Sequence, residues 1–257
     1  MKLRLLVLFL VFSFSVSAET LRALSPAEEV LNKAVADRMN YLEHRYHIRF
    51  DRAAFKGATF GIPAEHDQTF EAEYVPGESR IYVNRSFVFW FVRTKVCFGE
   101  RAFEGVPQFS RSQKLLTILD HELGHFWADH VSRKIGNGAW PSPYNFSELS
   151  WDQQCGLRVL TEGVAGYFSY TTPDYNRKER AKSFPEESDA KYWYGRGGQV
   201  AFYAGGYWLV RPILQRFREK GVEYIVTHPF YFEDGDARQA AKEYQRTALA
   251  ELGKKRK

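Results

Sequence analysis

The chain has 257 residues, of which 44% are hydrophobic, 26% charged and 16% aromatic. These values exclude a disordered or low-complexity protein, and the length suits one domain with one core or two lobes. Its formal net charge of +5 falls to +3 if the leader described next, with Lys2 and Arg4, is removed. That is too small and too mixed to argue for a nucleic-acid surface.

Residues 1–18 read as a signal peptide. Lys2 and Arg4 give a positive start, Leu5 to Val16 an apolar run, and Val16-Ser17-Ala18 a small-residue cleavage site. The run is twelve residues, too short to span a bilayer. No cysteine follows it for a lipid anchor. The expectation is an exported protein, secreted or periplasmic, comprising residues 19–257 with no stable membrane span. The tail Lys254-Lys255-Arg256-Lys257 is a solvated chain end.

Ser25-Pro26-Ala27-Glu28 is a capping box with Pro at the first helical position, and the helix it opens extends to about His47. From Ile48 to about Phe98 short runs of period two replace the helical period. Phe70 to Val75, the turn Pro76-Gly77-Glu78-Ser79 and Arg80 to Val83 predict a hairpin. Arg80 to Asn84 is the candidate edge strand for pairing with an extended ligand. The run Phe87 to Val92 fits a buried strand or a buried helical turn.

Ser110 to Gly136 predicts a long helix. The segment from Gly136 to Phe146, with Gly138, Pro141, Pro143 and Asn145, reads as a linker. It divides a β-containing lobe (19–136) from a helical lobe (137–257) of one domain. Ser150-Trp151-Asp152-Gln153 is a second capping box, opening a helix through Phe168. Thr171 to Lys191 is a long polar loop. Helices are predicted again over Tyr194 to Gly221 and from Ala237 to Leu252. Cys97 and Cys155 would suit one disulfide in an oxidising compartment. Asn84-Arg85-Ser86 and Asn145-Phe146-Ser147 fit the glycosylation acceptor pattern, which matters only in a eukaryotic host.

Chemistry concentrates in His121-Glu122-Leu123-Gly124-His125. On a helix the two imidazoles lie ~40° apart around the axis, one turn apart, and can share one metal ion. Glu122 lies ~60–100° round from them, placed to take a proton from a metal-activated water. Gly124 costs about 1 kcal/mol in a helix relative to Ala, which points to close backbone packing there.

A catalytic zinc needs a third protein ligand. His130 falls on the opposite helix face, Glu148 in the linker, and His66 and His228 in loops. Asp129 suits orienting a histidine better than binding the metal. Glu162 is the strongest candidate. It sits in an apolar helix, where an unpaired carboxylate is costly, and Gly163 and Ala165 beside it would admit another helix closely.

His121 to His125, followed by Leu160-Thr161-Glu162-Gly163-Val164-Ala165-Gly166-Tyr167-Phe168, resembles the gluzincin metallopeptidases, among them thermolysin and the zinc aminopeptidases. The resemblance covers roughly residues 112 to 215. It implies a two-lobed α+β zincin-like fold, a Zn2+ ion held by His121, His125 and Glu162, and Glu122 as general base. Phe202-Tyr203-Ala204-Gly205-Gly206 is similar to the aminopeptidase segment whose tyrosine stabilises the oxyanion. That role would fall to Tyr203, with Tyr207 as the rival.

Two departures matter. Gly166 stands where thermolysin has an acidic residue, so support for the ligands must come from elsewhere, Asp129 or Asp120. The strand by which aminopeptidases hold a free amino terminus is missing, so exopeptidase action is not implied. The expectation is a zinc metallopeptidase acting on a peptide or protein substrate. The alternatives are a catalytically silent zinc-binding envelope or assembly protein, and a zinc hydrolase of a non-peptide amide.

Overall fold

The computed structural model describes residues 25–61, 71–84, 113–138, 140, 149–169, 205–230 and 237–254. In chain order these form helix α1 (Pro26–Tyr46), strands β1 (Ala58–Phe60), β2 (Ala72–Val75) and β3 (Arg80–Val83), and helices α2 (Gln113–Lys134), α3 (Trp151–Ser169), α4 (Gly206–Phe217), α5 (Glu219–Thr227) and α6 (Ala237–Lys254). The class is α+β, mostly helical, with one small sheet.

Helix α1 starts as its capping box requires. The Ser25 hydroxyl accepts the Glu28 N–H at 3.3 Å, and the Glu28 carboxylate accepts the Ser25 N–H at 3.0 Å. His47 ends it in the left-handed conformation, φ 52°. Leu31, Val35, Met39 and Leu42 are buried along one face. At about 1.5–3 kcal/mol for each large apolar side chain, that face outweighs any helix propensity.

The sheet has the order β1-β3-β2. β3 pairs parallel with β1 and antiparallel with β2, in the register Tyr74↔Ile81. The predicted hairpin is present, turning at Pro76–Ser79 through Glu78 N–H to the Val75 carbonyl at 3.1 Å. Arg80 to Asn84 is not an edge, which corrects the expectation for that segment. A β1 strand too short to stand out in the sequence flanks it, because its pairing is non-local. Asn84 is buried at the end of β3, so its side chain is not placed to receive a glycan.

Among the described residues the edge nearest α2 is β2. The Asn84 N–H bonds the Glu71 carbonyl at 3.0 Å, opposite in the register. By the alternation of an antiparallel ladder, Glu73 and Val75 then face β3 while Ala72 and Tyr74 turn their backbone groups outward. The far edge is closed by a side chain. The Asn32 amide of α1 donates to the Ala58 carbonyl at 2.7 Å and accepts the Ala58 N–H at 2.8 Å.

One core runs through sheet and helices, with Leu31, Ile81, Leu119, Leu123, Phe126, Trp127, Leu157, Leu160 and Phe168 all fully buried. Of the helical stretch expected over Tyr194 to Gly221, residues 194–204 lie outside the described residues, and the described part is two elements, since the chain turns at Arg218 (φ 52°) between α4 and α5. Cys155 is buried in α3. Residues 1–24, Cys97, the segments 85–112 and 141–148, the loop 171–191 and Tyr203 lie outside the described residues. No helix among the described residues is long and apolar enough to cross a membrane.

Candidate metal centre

Helices α2 and α3 cross where α2 has Gly124. A Cβ built on Gly124 would lie 2.5 Å from the Ala165 Cα. Only a residue without a side chain lets the backbones meet there, which is the reason for a glycine inside this helix. The crossing brings Glu162 of α3 opposite His121 and His125 of α2. His121 Nε2 lies 3.0 Å from Glu162 Oε2, His125 Nε2 lies 3.8 Å from the same oxygen, and the two Nε2 atoms are 3.2 Å apart.

These three donors are the group among the described residues able to hold a metal ion. A tetrahedral zinc with bonds of about 2.0–2.1 Å separates its ligand atoms by roughly 3.3–3.4 Å. The measured separations of 3.0, 3.2 and 3.8 Å bracket that figure. Hydrogen bonding alone does not account for the trio. In a neutral ring, His121 Nε2 either carries a proton for Glu162 or presents a lone pair to His125, never both. A cation at the centre satisfies all three. Two imidazoles and a carboxylate suit zinc and other borderline divalent ions.

The protonation states of His125 and Glu162 agree with this, while His121 tends the other way. Burial pushes the His125 ring down to about 4, against the opposing pull of the Glu162 carboxylate, so the ring is neutral. Burial would raise Glu162, but the neighbouring His125 and His121 hold it below its ordinary value and ionised. Burial opposes charge on His121 too, and there the hydrogen bond to Glu162 wins and raises it. The ligand side chains keep 15–24% of their surface exposed, so the site opens on one side to solvent.

Glu122 points elsewhere. Its Oε2 accepts the outward N–H of Tyr74 on β2 at 2.7 Å. Burial pushes its carboxyl up to about 8, with the positive charge on His121 and the Tyr74 N–H acting the other way. It is therefore beside the ligands and not among them.

Asp129 is not turned to a ligand histidine. Its carboxylate accepts from the Tyr74 hydroxyl at 2.6 Å, the Trp140 N–H at 2.8 Å and Arg133 Nε at 3.1 Å. It anchors the hairpin, because position 129 lies on the same side of α2 as Glu122. Asp120, fully buried, is gripped by both arms of the Arg38 guanidinium at 2.7 and 2.6 Å. His130 lies off the site, 3.6 Å from Asp51.

Tyr207 is buried in α4, its ring 5.6 Å from the Arg211 guanidinium. The sequence did not single out Tyr74 or Arg38. The available signal was spacing: Glu122, Phe126, Asp129 and Arg133 recur at 4, 7 and 11 residues and form one stripe of α2. Comparison with family models, with curated proteins and with solved structures finds no match for this chain.

Proposed function

We propose that the protein is an exported zinc metallopeptidase of gluzincin type, with the two-lobed zincin arrangement. The observation that carries the reading is the convergence of His121, His125 and Glu162 donors beside a buried carboxylate, Glu122, that is not one of them. His121 and His125 from one turn of α2 and Glu162 from α3 would hold the ion. Zinc bound there would polarise the scissile carbonyl and bring the pKa of its water to near 7.

The chain's own residues do the rest. Glu122 accepts the proton of the attacking water and returns it to the leaving amine. The Tyr74 N–H fixes one carboxylate oxygen and leaves the other for that transfer. Substrate would lie as an extended strand along β2, where Ala72 turns both its backbone groups outward. Tyr203 is the proposed oxyanion donor. It stands three residues before Gly206, the first residue of α4, which packs on Gly163 next to Glu162.

The test is cleavage of a broad peptide library by the mature protein, read by mass spectrometry. Cleavage should be abolished by chelator and restored by zinc. Glu122→Gln should keep one zinc per chain and lose at least about a hundredfold in kcat. Glu162→Ala should lose the metal. Full cleavage by Glu122→Gln would exclude the mechanism. An inert wild type that holds zinc would favour a binding or assembly role, and cleavage of acylated amines but not peptides a non-peptide amide hydrolase.

A further inference from the structure

Helix α2 has two working faces. His121, Gly124 and His125 face α3. Glu122, Phe126, Asp129 and Arg133 lie within about 60° of one another on the neighbouring face, which is turned to the hairpin. Each of these four touches it. Glu122 takes the Tyr74 N–H at 2.7 Å, and the Phe126 ring packs on the Tyr74 ring with centroids 5.6 Å apart. Asp129 takes the Tyr74 hydroxyl at 2.6 Å, and Arg133 donates to the Pro76 carbonyl at 2.8 Å while its Nε bonds Asp129.

Tyr74 is thus held at both ends by one helix. Its phenol is tied to Asp129, and its backbone N–H is aimed at Glu122. A hydrogen bond from a backbone amide weakens steeply once donor and acceptor are misaligned. It is useful only if the strand that offers the amide is itself fixed. Among the described residues β2, four residues long, has one paired neighbour, and that ladder alone fixes it on one side only. The phenol anchor holds the other.

We propose that Asp129 is a positioning residue for the general base: through the Tyr74 phenol it holds β2 in place, and the Tyr74 N–H then sets where the Glu122 carboxylate points. Its role as positioner of a base rests on the hydrolase reading, but the clamp itself does not. The clamp also accounts for a buried aspartate away from the His121, His125 and Glu162 group, two of whose three partners, Tyr74 and Arg133, belong to or hold the hairpin.

Amide hydrogen exchange in the metal-free protein reads the clamp without any activity. The Tyr74 N–H faces away from β3, so its protection reports the bond to Glu122. It should be protected in the wild type. Glu122→Ala should raise its exchange rate at least tenfold, and so should Tyr74→Phe, which removes one oxygen and keeps the ring on Phe126. The Glu73 and Val75 amides, bonded within the ladder, should change little. In the zinc-loaded enzyme Tyr74→Phe should keep one zinc per chain and an unchanged KM, with kcat down about tenfold. Asp129→Asn should do the same, and the double variant should be no worse than the poorer single, as residues acting in one chain require.

A Tyr74 amide that exchanges freely in the wild type would overturn the proposal. So would one that keeps its protection in Tyr74→Phe and Asp129→Asn alike, or a kcat unchanged in both. If the exchange pattern appears and no peptide is cleaved, the clamp stands and the hydrolase reading fails.

Discussion

Asp120 sits immediately before His121, the first of the candidate metal donors, and has no exposed surface. A buried carboxylate is tolerable only if its charge is matched, and Arg38 of α1 matches it with a two-pronged grip. Arg38→Ala would leave that charge stranded, and the expected loss is about 3–5 kcal/mol in urea denaturation. Arg38→Lys keeps the charge but not the fork, so it should fall between wild type and Ala. A loss below 1 kcal/mol for Arg38→Ala would show that the pair does not hold α1 to α2. The sequence offered Asp120 only as possible support for the metal donors. Its partner was not legible, because 82 residues separate the two and no local pattern links them. The ligands were legible for the opposite reason: His121 and His125 are neighbours on one turn, and Glu162 carries its own signal in a charge set between residues that otherwise pack.

Between elements, glycine marks where backbones touch. A Cβ on Gly163 would meet the Gly206 carbonyl oxygen at 2.5 Å, and one on Gly206 would meet the Val159 carbonyl oxygen at 2.2 Å. Backbone cannot swing aside as a side chain can, so Gly163→Ala should separate α3 from α4 and cost at least about 2 kcal/mol. Gly253, in the last turn of α6, has nothing within 4 Å of its would-be Cβ. There the same substitution should be neutral or stabilise by up to ~1 kcal/mol, since Ala is the better helix former. Thermal unfolding of the two variants checks the pair, and equal losses would refute the packing argument. Pro212 inside α4 makes a second case. It has no N–H for the Trp208 carbonyl four residues back, and Gln245 of α6 supplies one at 3.2 Å, with the Leu209 carbonyl at 2.9 Å. Gln245→Leu should cost about 1–3 kcal/mol by leaving these carbonyls without that donor. Gly124 and Gly163 could be read from the sequence as exceptions to helical rules. Which element answers each exception depended on packing between segments far apart in the chain. The boundaries of α1 and α3 came out nearly as expected because capping boxes are local. The strand order did not, because β1 reaches β3 past an intervening strand.

Across the whole molecule, the ligand group is a joint between helices. Its donors come from α2 and α3, 41 residues apart, and nothing in the unfolded chain holds them together. Metal binding there would therefore be coupled to folding, and an ion that binds only the folded chain stabilises it by mass action. At free zinc a thousandfold above its dissociation constant the gain is about 4 kcal/mol. For a chain of this size each kcal/mol moves Tm by roughly 2–4 °C, so the expected rise is about 8–16 °C by calorimetry. Glu162→Ala removes the donor from α3 and should reduce the rise to a small fraction of that. Glu122→Gln leaves all three donors in place and should preserve it, which separates the metal's structural contribution from the proposed chemistry. Magnesium, which prefers oxygen ligands in octahedral geometry, should produce little shift at the same concentration. A zinc-induced rise that is the same in Glu162→Ala as in the wild type would place the ion somewhere other than between these helices.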